Sequence, residues 1–182
     1  MQAIILAFIL SIGFTPIKSN SNSQVLPVVD YVDIQSYMGK WYEIARYDNS
    51  FQRKCGASYA YYQLSRSNKV EVTNVCQNVH DPSKVHRATG LARVIDSDTN
   101  AILKVSFVPI ARRFGWFGGD YWIIALDDNY QYAMVGTPDR KFLWILSRDP
   151  YLDERILSDL KLEAKNLGFK REILHTPKWK DL

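Results

Sequence analysis

The sequence has little of what catalysis and metal binding ordinarily need. Its three histidines, His80, His86 and His175, are scattered, and none has a partner at metal-ligand spacing. There is no glycine-rich phosphate loop and no nucleophile elbow. No run of Lys and Arg resembles a nucleic-acid arm, and the net charge of +4 is mild. These absences argue against a metalloenzyme, a nucleotide-driven enzyme and a nucleic-acid binder, so no cofactor, no metal and no nucleic acid is expected. Cysteine is scarce: Cys55 and Cys76 are the only two. There is no Asn-x-Ser/Thr acceptor site, no internal repeat and no low-complexity tract. No apolar run reaches the roughly 20 residues that a helix needs to span a bilayer.

The longest apolar stretch runs from Ala3 to Phe14, and polar residues from Lys18 to Gln24 follow it. This pattern reads as a secretory signal peptide with cleavage near Ser19 to Ser23. The positive charge that ordinarily precedes such a run is missing, so a buried N-terminal helix is the alternative. The expected organisation is a signal peptide over 1–23 and one domain over 24–182. No cysteine follows the apolar run, so there is no lipid-accepting site there. Export places the chain in the periplasm or cell envelope, in association with an outer membrane, or outside the cell. Two cysteines in an oxidising compartment imply one disulfide.

Strand signals dominate what remains. Tyr and Trp are plentiful, which suits sheets and apolar pockets. Eight segments read as strands, at 39–47, 57–64, 70–75, 86–95, 101–108, 120–126, 130–135 and 141–147, with Asp-, Asn- and Ser-rich turns between most of them. From Asp149-Pro150 onward the period changes. Ile156, Leu157, Leu160, Leu162 and Leu167 recur near helical spacing, Pro150 suits a first turn and Gly168 a C-terminal cap. A short strand over 169–174 follows. Eight evenly spaced strands with short turns and one helix describe an up-and-down barrel or a sandwich. Closed on itself, such a barrel leaves an interior for one small ligand. Cys55 and Cys76 flank the second hairpin at similar distances from its turn and should pair. Parity puts them on different faces, so a bulge is required there.

Three stretches carry a family resemblance. Met38-Gly39-Lys40-Trp41-Tyr42-Glu43-Ile44-Ala45-Arg46 contains a Gly-x-Trp, Asp120-Tyr121 opens a later strand, and Leu143-Trp144-Ile145-Leu146-Ser147-Arg148 ends on an arginine. Together they resemble the lipocalin family, and in particular bacterial outer-membrane lipocalins and apolipoprotein D. The second stretch departs from the family pattern, which has Thr before Asp-Tyr. The resemblance implies an all-β fold: an eight-stranded antiparallel up-and-down β-barrel with one C-terminal α-helix. It implies structural roles for Gly39, Trp41 and Arg148, with Trp41 plugging the closed end and Arg148 lying against its ring. It also implies a carrier of a small hydrophobic or amphipathic ligand, a fatty acid or lysophospholipid, serving cell-envelope lipid maintenance. Relatives of the bacterial branch are commonly lipoproteins, and the missing cysteine puts membrane anchoring in doubt.

Alternate residues of a barrel strand point inward. Counted from Trp41, the expected lumen residues are Glu43, Ala45, Tyr47, Ala60, Tyr62, Val72, Ala88, Gly90, Leu103, Val105, Phe107, Trp122, Ile124, Phe142 and Trp144. The bland alternative is that they merely fill the barrel. Glu43 is the odd member, because a carboxylate in an apolar lumen must be paired or neutral. The expected mouth carries Arg112, Arg113, Phe114, Trp116 and Phe117, a set that suits an anionic amphiphile or peripheral contact with anionic membrane. The chain is expected to act as a monomer or homodimer and not as an enzyme. Two other classes remain open. One is a thiol-dependent isomerase using Cys55, which a disulfide would remove. The other is a protein-interaction module working through the outer face of the barrel.

Overall fold

The computed structural model describes residues 25–65, 69–108, 118–176 and 179. The segment before the barrel crosses its lower end, where Val29 N–H donates to Ile123 O at 3.1 Å and Val32 N–H to Thr99 O at 2.7 Å. A single helical turn, α1 (Ile34–Tyr37), is capped by the Asp33 carboxylate and delivers Tyr37 under the barrel. The strands then follow as β1 (Gly39–Arg46), β2 (Cys55–Leu64), β3 (Val70–Asn78), β4 (Val85–Val94), β5 (Ile102–Ser106), β6 (Gly119–Leu126), β7 (Tyr132–Gly136) and β8 (Leu143–Ser147). Each pairs antiparallel with its successor, and β8 returns to β1, which closes the eight-stranded up-and-down barrel.

The turns at the closed end form because Asp and Asn side chains supply the bonds the backbone lacks there. Asp96 accepts from Asp98 N–H and Thr99 O–H, and Asp127 accepts from Asn129 and Gln131 N–H. At the other end, Asn49 caps a 3-10 turn over Ser50–Gln52, in the loop between β1 and β2.

A helix, α2 (Glu154–Asn166), packs on the outside of the barrel. It starts four residues later than Pro150. Asp153 is the cap, accepting from Arg155 and Ile156 N–H, and Pro150 lies in the connection. Leu157, Leu160 and Ala164 form its buried face, whereas Leu162 is exposed to solvent. The helix ends in a Schellman motif: Phe169 N–H donates to Ala164 O, Gly168 N–H to Lys165 O, and Gly168 sits at φ +89°. The last strand, β9 (Leu174–His175), is shorter than expected and pairs with the upper half of β1.

Two apolar clusters follow from this layout. One fills the lower lumen around Trp41, Tyr62, Val72 and Leu103. The other lies between α2 and the outer face of the barrel. Bulges decide which residues join which. The β1–β8 register shifts between Glu43 and Ala45, and the β6–β7 register shifts between Ile123 and Ala125. One extra residue reverses every side chain beyond it. Ala45 and Tyr47 therefore turn outward into the helix cluster instead of into the lumen. On β6 the expected parity is reversed from the start: Tyr121 and Ile123 face the lumen, while Trp122 and Ile124 pack toward α2. A third register shift, between Cys55 and Ser58, brings the two cysteines together in a disulfide with Cα atoms 5.4 Å apart.

A candidate ligand cavity in the barrel

The floor of the barrel is built on the Gly-x-Trp stretch. Trp41 is fully buried, and its indole N–H donates to Tyr37 O at 2.8 Å. The Arg148 guanidinium carbon lies 3.8 Å from the centre of the Trp41 ring. Its nitrogens donate to the carbonyls of Tyr130 (3.1 Å), Lys40 (2.9 Å) and Ser36 (2.7 Å). One arginine thus ties α1, β1 and the β6–β7 turn to the end of β8. Gly39 is required by its φ of +96°, and a Cβ there would sit 3.2 Å from Arg148 Nη1.

Three tyrosines stand on this floor. The Tyr121 hydroxyl lies 2.9 Å from that of Tyr37 and 2.9 Å from that of Tyr62. Burial pushes the Tyr62 phenol up to about 12 and raises those of Tyr37 and Tyr121 as well, so all three stay neutral at physiological pH. Around them Ile34, Met38, Val70, Ala92, Leu103, Val105 and Ile123 enclose a small apolar cavity of about 10 Å³, the space of a single water. Above this cavity the β4 wall is made of small residues, with Ala88, Gly90 and Ala92 in one inward row. A Cβ on Gly90 would come 2.8 Å from the Phe107 ring, so Phe107 closes over the glycine.

The upper lumen is polar on one side. Glu43 is buried and is ion-paired to Arg46, which the β1 bulge brings to the same side. The Glu43 carboxylate also accepts from Gln52 Nε2 at 2.7 Å and from Thr176 O–H at 2.9 Å. Gln52 Oε1 accepts from the Trp144 indole at 3.0 Å, and Arg46 Nη2 donates to Cys55 O at 3.1 Å. The carboxylate is therefore ion-paired and hydrogen-bonded by its neighbours, the condition a buried acidic group in this position must meet. Phe142 stacks on Trp144 at the rim, with ring centres 5.9 Å apart, and Phe51 covers both.

Of the residues expected in the lumen, Glu43, Ala60, Tyr62, Val72, Leu103, Val105 and Trp144 line it or the cluster at its base. Ala88, Gly90, Phe107 and Phe142 occupy its upper wall and rim. Ala45, Tyr47, Trp122 and Ile124 do not. Tyr37, Arg46, Gln52, Tyr121 and Thr176 join the site without having been expected there. Tyr37 and Thr176 arrive from outside the eight strands, and Arg46 arrives through a bulge that has no sequence signature. Arg112, Arg113, Phe114, Trp116 and Phe117 lie outside the described residues, as do residues 1–23. Among the described rim charges, Lys84 pairs with Asp81 and Lys141 with Asp139, while Arg140 reaches away to Leu167 O at the end of α2. No group of three or more potential metal ligands occurs among the described residues. Cys55 is consumed in the disulfide, which leaves the isomerase alternative without its thiol.

Comparison with known proteins agrees with this architecture. Residues 32–178 match the family model described as a lipocalin-like domain. The chain is 39% identical over 142 residues to the outer membrane lipoprotein Blc of Escherichia coli K12, covering 78% of this chain and 76% of that protein. It is 32% identical over 155 residues to apolipoprotein D of Bos taurus, covering 80% and 77%. Among solved structures, apocrustacyanin C2 superposes with a TM-score of 0.62 at 16% identity, over 79% of this chain and 78% of that one, a likeness of fold alone. The family supports binding of small hydrophobic molecules in the barrel, and the match over most of its length shows that this chain belongs to the lipocalin-like family.

Proposed function

We propose that the barrel binds and carries one amphipathic lipid, a fatty acid or a lysophospholipid, with its chain in the lumen and its polar group toward the open end. The observation that carries this reading is the closed eight-stranded barrel with an apolar interior around Tyr62, Val72 and Leu103, in a chain whose residues 32–178 match the lipocalin-like family. Small residues face inward on β4, and the Glu43–Arg46 pair and Gln52 supply polar partners nearer the mouth. Relatives named as outer membrane lipoproteins support export and a role in the cell envelope. Peripheral contact with anionic membrane belongs to the same proposal. Phe51, Val79 and Val108 are exposed at the open end in company with Arg53 and Lys54, which suits a surface that is apolar within and anionic outside.

The test is native mass spectrometry of purified protein, with extraction of bound lipid, followed by titration with a fluorescent fatty acid and a lysophospholipid. Ala88→Trp, which fills the upper lumen from an accessible position, should lower affinity at least about tenfold with little change in melting temperature, since roughly 1.4 kcal/mol of lost contact is a factor of ten. A protein that carries no lipid and binds neither probe would end the carrier reading and favour a protein-interaction role for the outer face.

A further inference from the structure

The two edges of β1 are used differently. One edge pairs with β8 from Tyr42 to Arg46. The other pairs with β2 from Gly39 to Tyr42, opposite Tyr62 to Tyr59. Higher on this second edge β9 takes the place of β2. Ala45 faces His175, Arg46 faces Leu174, and Thr176 N–H donates to Ile44 O at 2.9 Å. β2 extends past Tyr59 to Cys55, and there a side chain ties it to β1: Arg46 Nη2 donates to Cys55 O at 3.1 Å. The two strands part above Tyr42 and Tyr59, and β9 fills the gap. A cleft of about 60 Å³ lies along this seam on the outside, lined by Tyr42, Ile44, Ser58, Leu157 and Trp179 and by Glu43 itself. Glu43 is bonded from both sides of the wall. Thr176 O–H donates to one carboxylate oxygen, and Gln52, which joins the Trp144 indole in the lumen, donates to the other. The wall is one side chain thick at this point.

We propose that this seam is a side entrance to the lumen, through which an amphipathic lipid enters and leaves when β9 lifts off β1. The proposal rests on the carrier reading and adds the route its cargo takes. β9 is a weak closure: it is two residues long, and both are exposed. Beyond the ladder it is held by Thr176 on Glu43 and by the Trp179 ring against Tyr59, with centres 4.9 Å apart. Short terminal segments with few bonds open at the low end of a protein's free-energy range. A slot that admits a strand, about 4.8 Å across, also admits one extended acyl chain. Outside the seam, Tyr42, Ile44 and Leu157 offer the tail an apolar surface. At its inner lip, Arg46 and Glu43 meet the polar group that follows.

The test closes the seam and reads exchange rates. Ala45 and His175 are opposite each other on antiparallel strands, and Ala45 packs on the outer side of the barrel, where His175 lines the cleft. Ala45→Cys/His175→Cys therefore places two thiols within disulfide reach. Its control is Ala45→Ser/His175→Ser, which cannot cross-link. Stopped-flow fluorescence follows binding and release of cis-parinaric acid, a slender chain without a bulky label. The bridged protein should take up and release the probe severalfold more slowly than the control with the same Kd, because a closed entrance slows both directions alike. Equal rates in the two proteins would overturn the proposal and leave the carrier reading intact. A change confined to the release rate would overturn it as well, since β9 would then touch the ligand and not gate it. If the bridge does not form, Thr176→Pro decides, because proline removes both the bond to Ile44 O and the bond to Glu43. Both rates should then rise by about three- to tenfold, the effect of one lost hydrogen bond on the open fraction, or more. Unchanged rates in that variant would refute the side entrance. A full chain that does not bind the probe would overturn the carrier reading and this proposal together.

Discussion

At the scale of single residues, two buried contacts organise the barrel, one at each level of the lumen. Trp41 and Arg148 meet at 3.8 Å, and the arginine also holds three backbone carbonyls. Trp41→Ala should cost about 3–5 kcal/mol, the usual range for a buried tryptophan. Arg148→Ala should cost less, and the two losses should not add, because each substitution removes the same ring–guanidinium contact. Urea denaturation of both single variants and the double variant measures this, and simple additivity would mean the contact contributes nothing. Glu43 and Arg46 are the second pair, with side chains 6% and 13% exposed. Glu43→Ala leaves a guanidinium uncompensated among apolar walls and should cost about 3 kcal/mol. The double variant Glu43→Ala/Arg46→Ala should be more stable than Glu43→Ala alone, which would be read directly from the denaturation midpoints.

At the scale of elements, the bulges matter more than the strands. β1 has Trp41 inward and leads into Tyr47 outward because one residue is added at Ile44. That single irregularity puts Arg46 beside Glu43 and places Tyr47 against Phe169, with ring centres 5.9 Å apart. The helix is fixed at its far end by Gly168, where a Cβ would lie 3.1 Å from Arg140 Nε. Gly168→Ala should therefore destabilise by roughly 1–2 kcal/mol, since an L-residue is strained at positive φ. A thermal melt that shows no loss would mean that the helix terminus relaxes freely. Gly168 was readable from the sequence as the C-terminal cap, yet the helix begins at Glu154 and not near Pro150, because the Asp153 carboxylate satisfies the first amides.

At the scale of the whole molecule, the tyrosine floor links the fold to alkaline pH. The Tyr62 phenol is raised by burial from its ordinary value near 10 to about 12, and those of Tyr37 and Tyr121 are raised as well. A phenol raised in the folded state stabilises fully below its unfolded pKa, and that contribution disappears as pH climbs through the folded value. Stability should hold to about pH 10 and fall steeply toward pH 12. Tyrosinate absorbance should show part of the 11 tyrosines ionising only as the barrel opens. All 11 ionising together near the ordinary pKa, with the fold retained, would contradict a sealed floor.

Local pattern alone determined the strand count, the late switch to a helix, the pairing of Cys55 with Cys76 and the need for a bulge between them. These depend on periodicity, turn residues and parity, which act between near neighbours. The Gly-x-Trp stretch and Arg148 narrowed the barrel-or-sandwich choice to a barrel. What parity could not see was where it fails. The bulge near Ile44 has no residue signature, and on β6 the alternation of large apolar residues reads equally well in either direction, although Trp122 and Ile124 pack toward α2. Only closure, which brings Tyr37 from α1, Tyr62 from β2 and Tyr121 from β6 within hydrogen-bond distance, decided that three hydroxyls join at the floor of the lumen. Those residues are separated by up to 84 positions, and no short-range rule couples them.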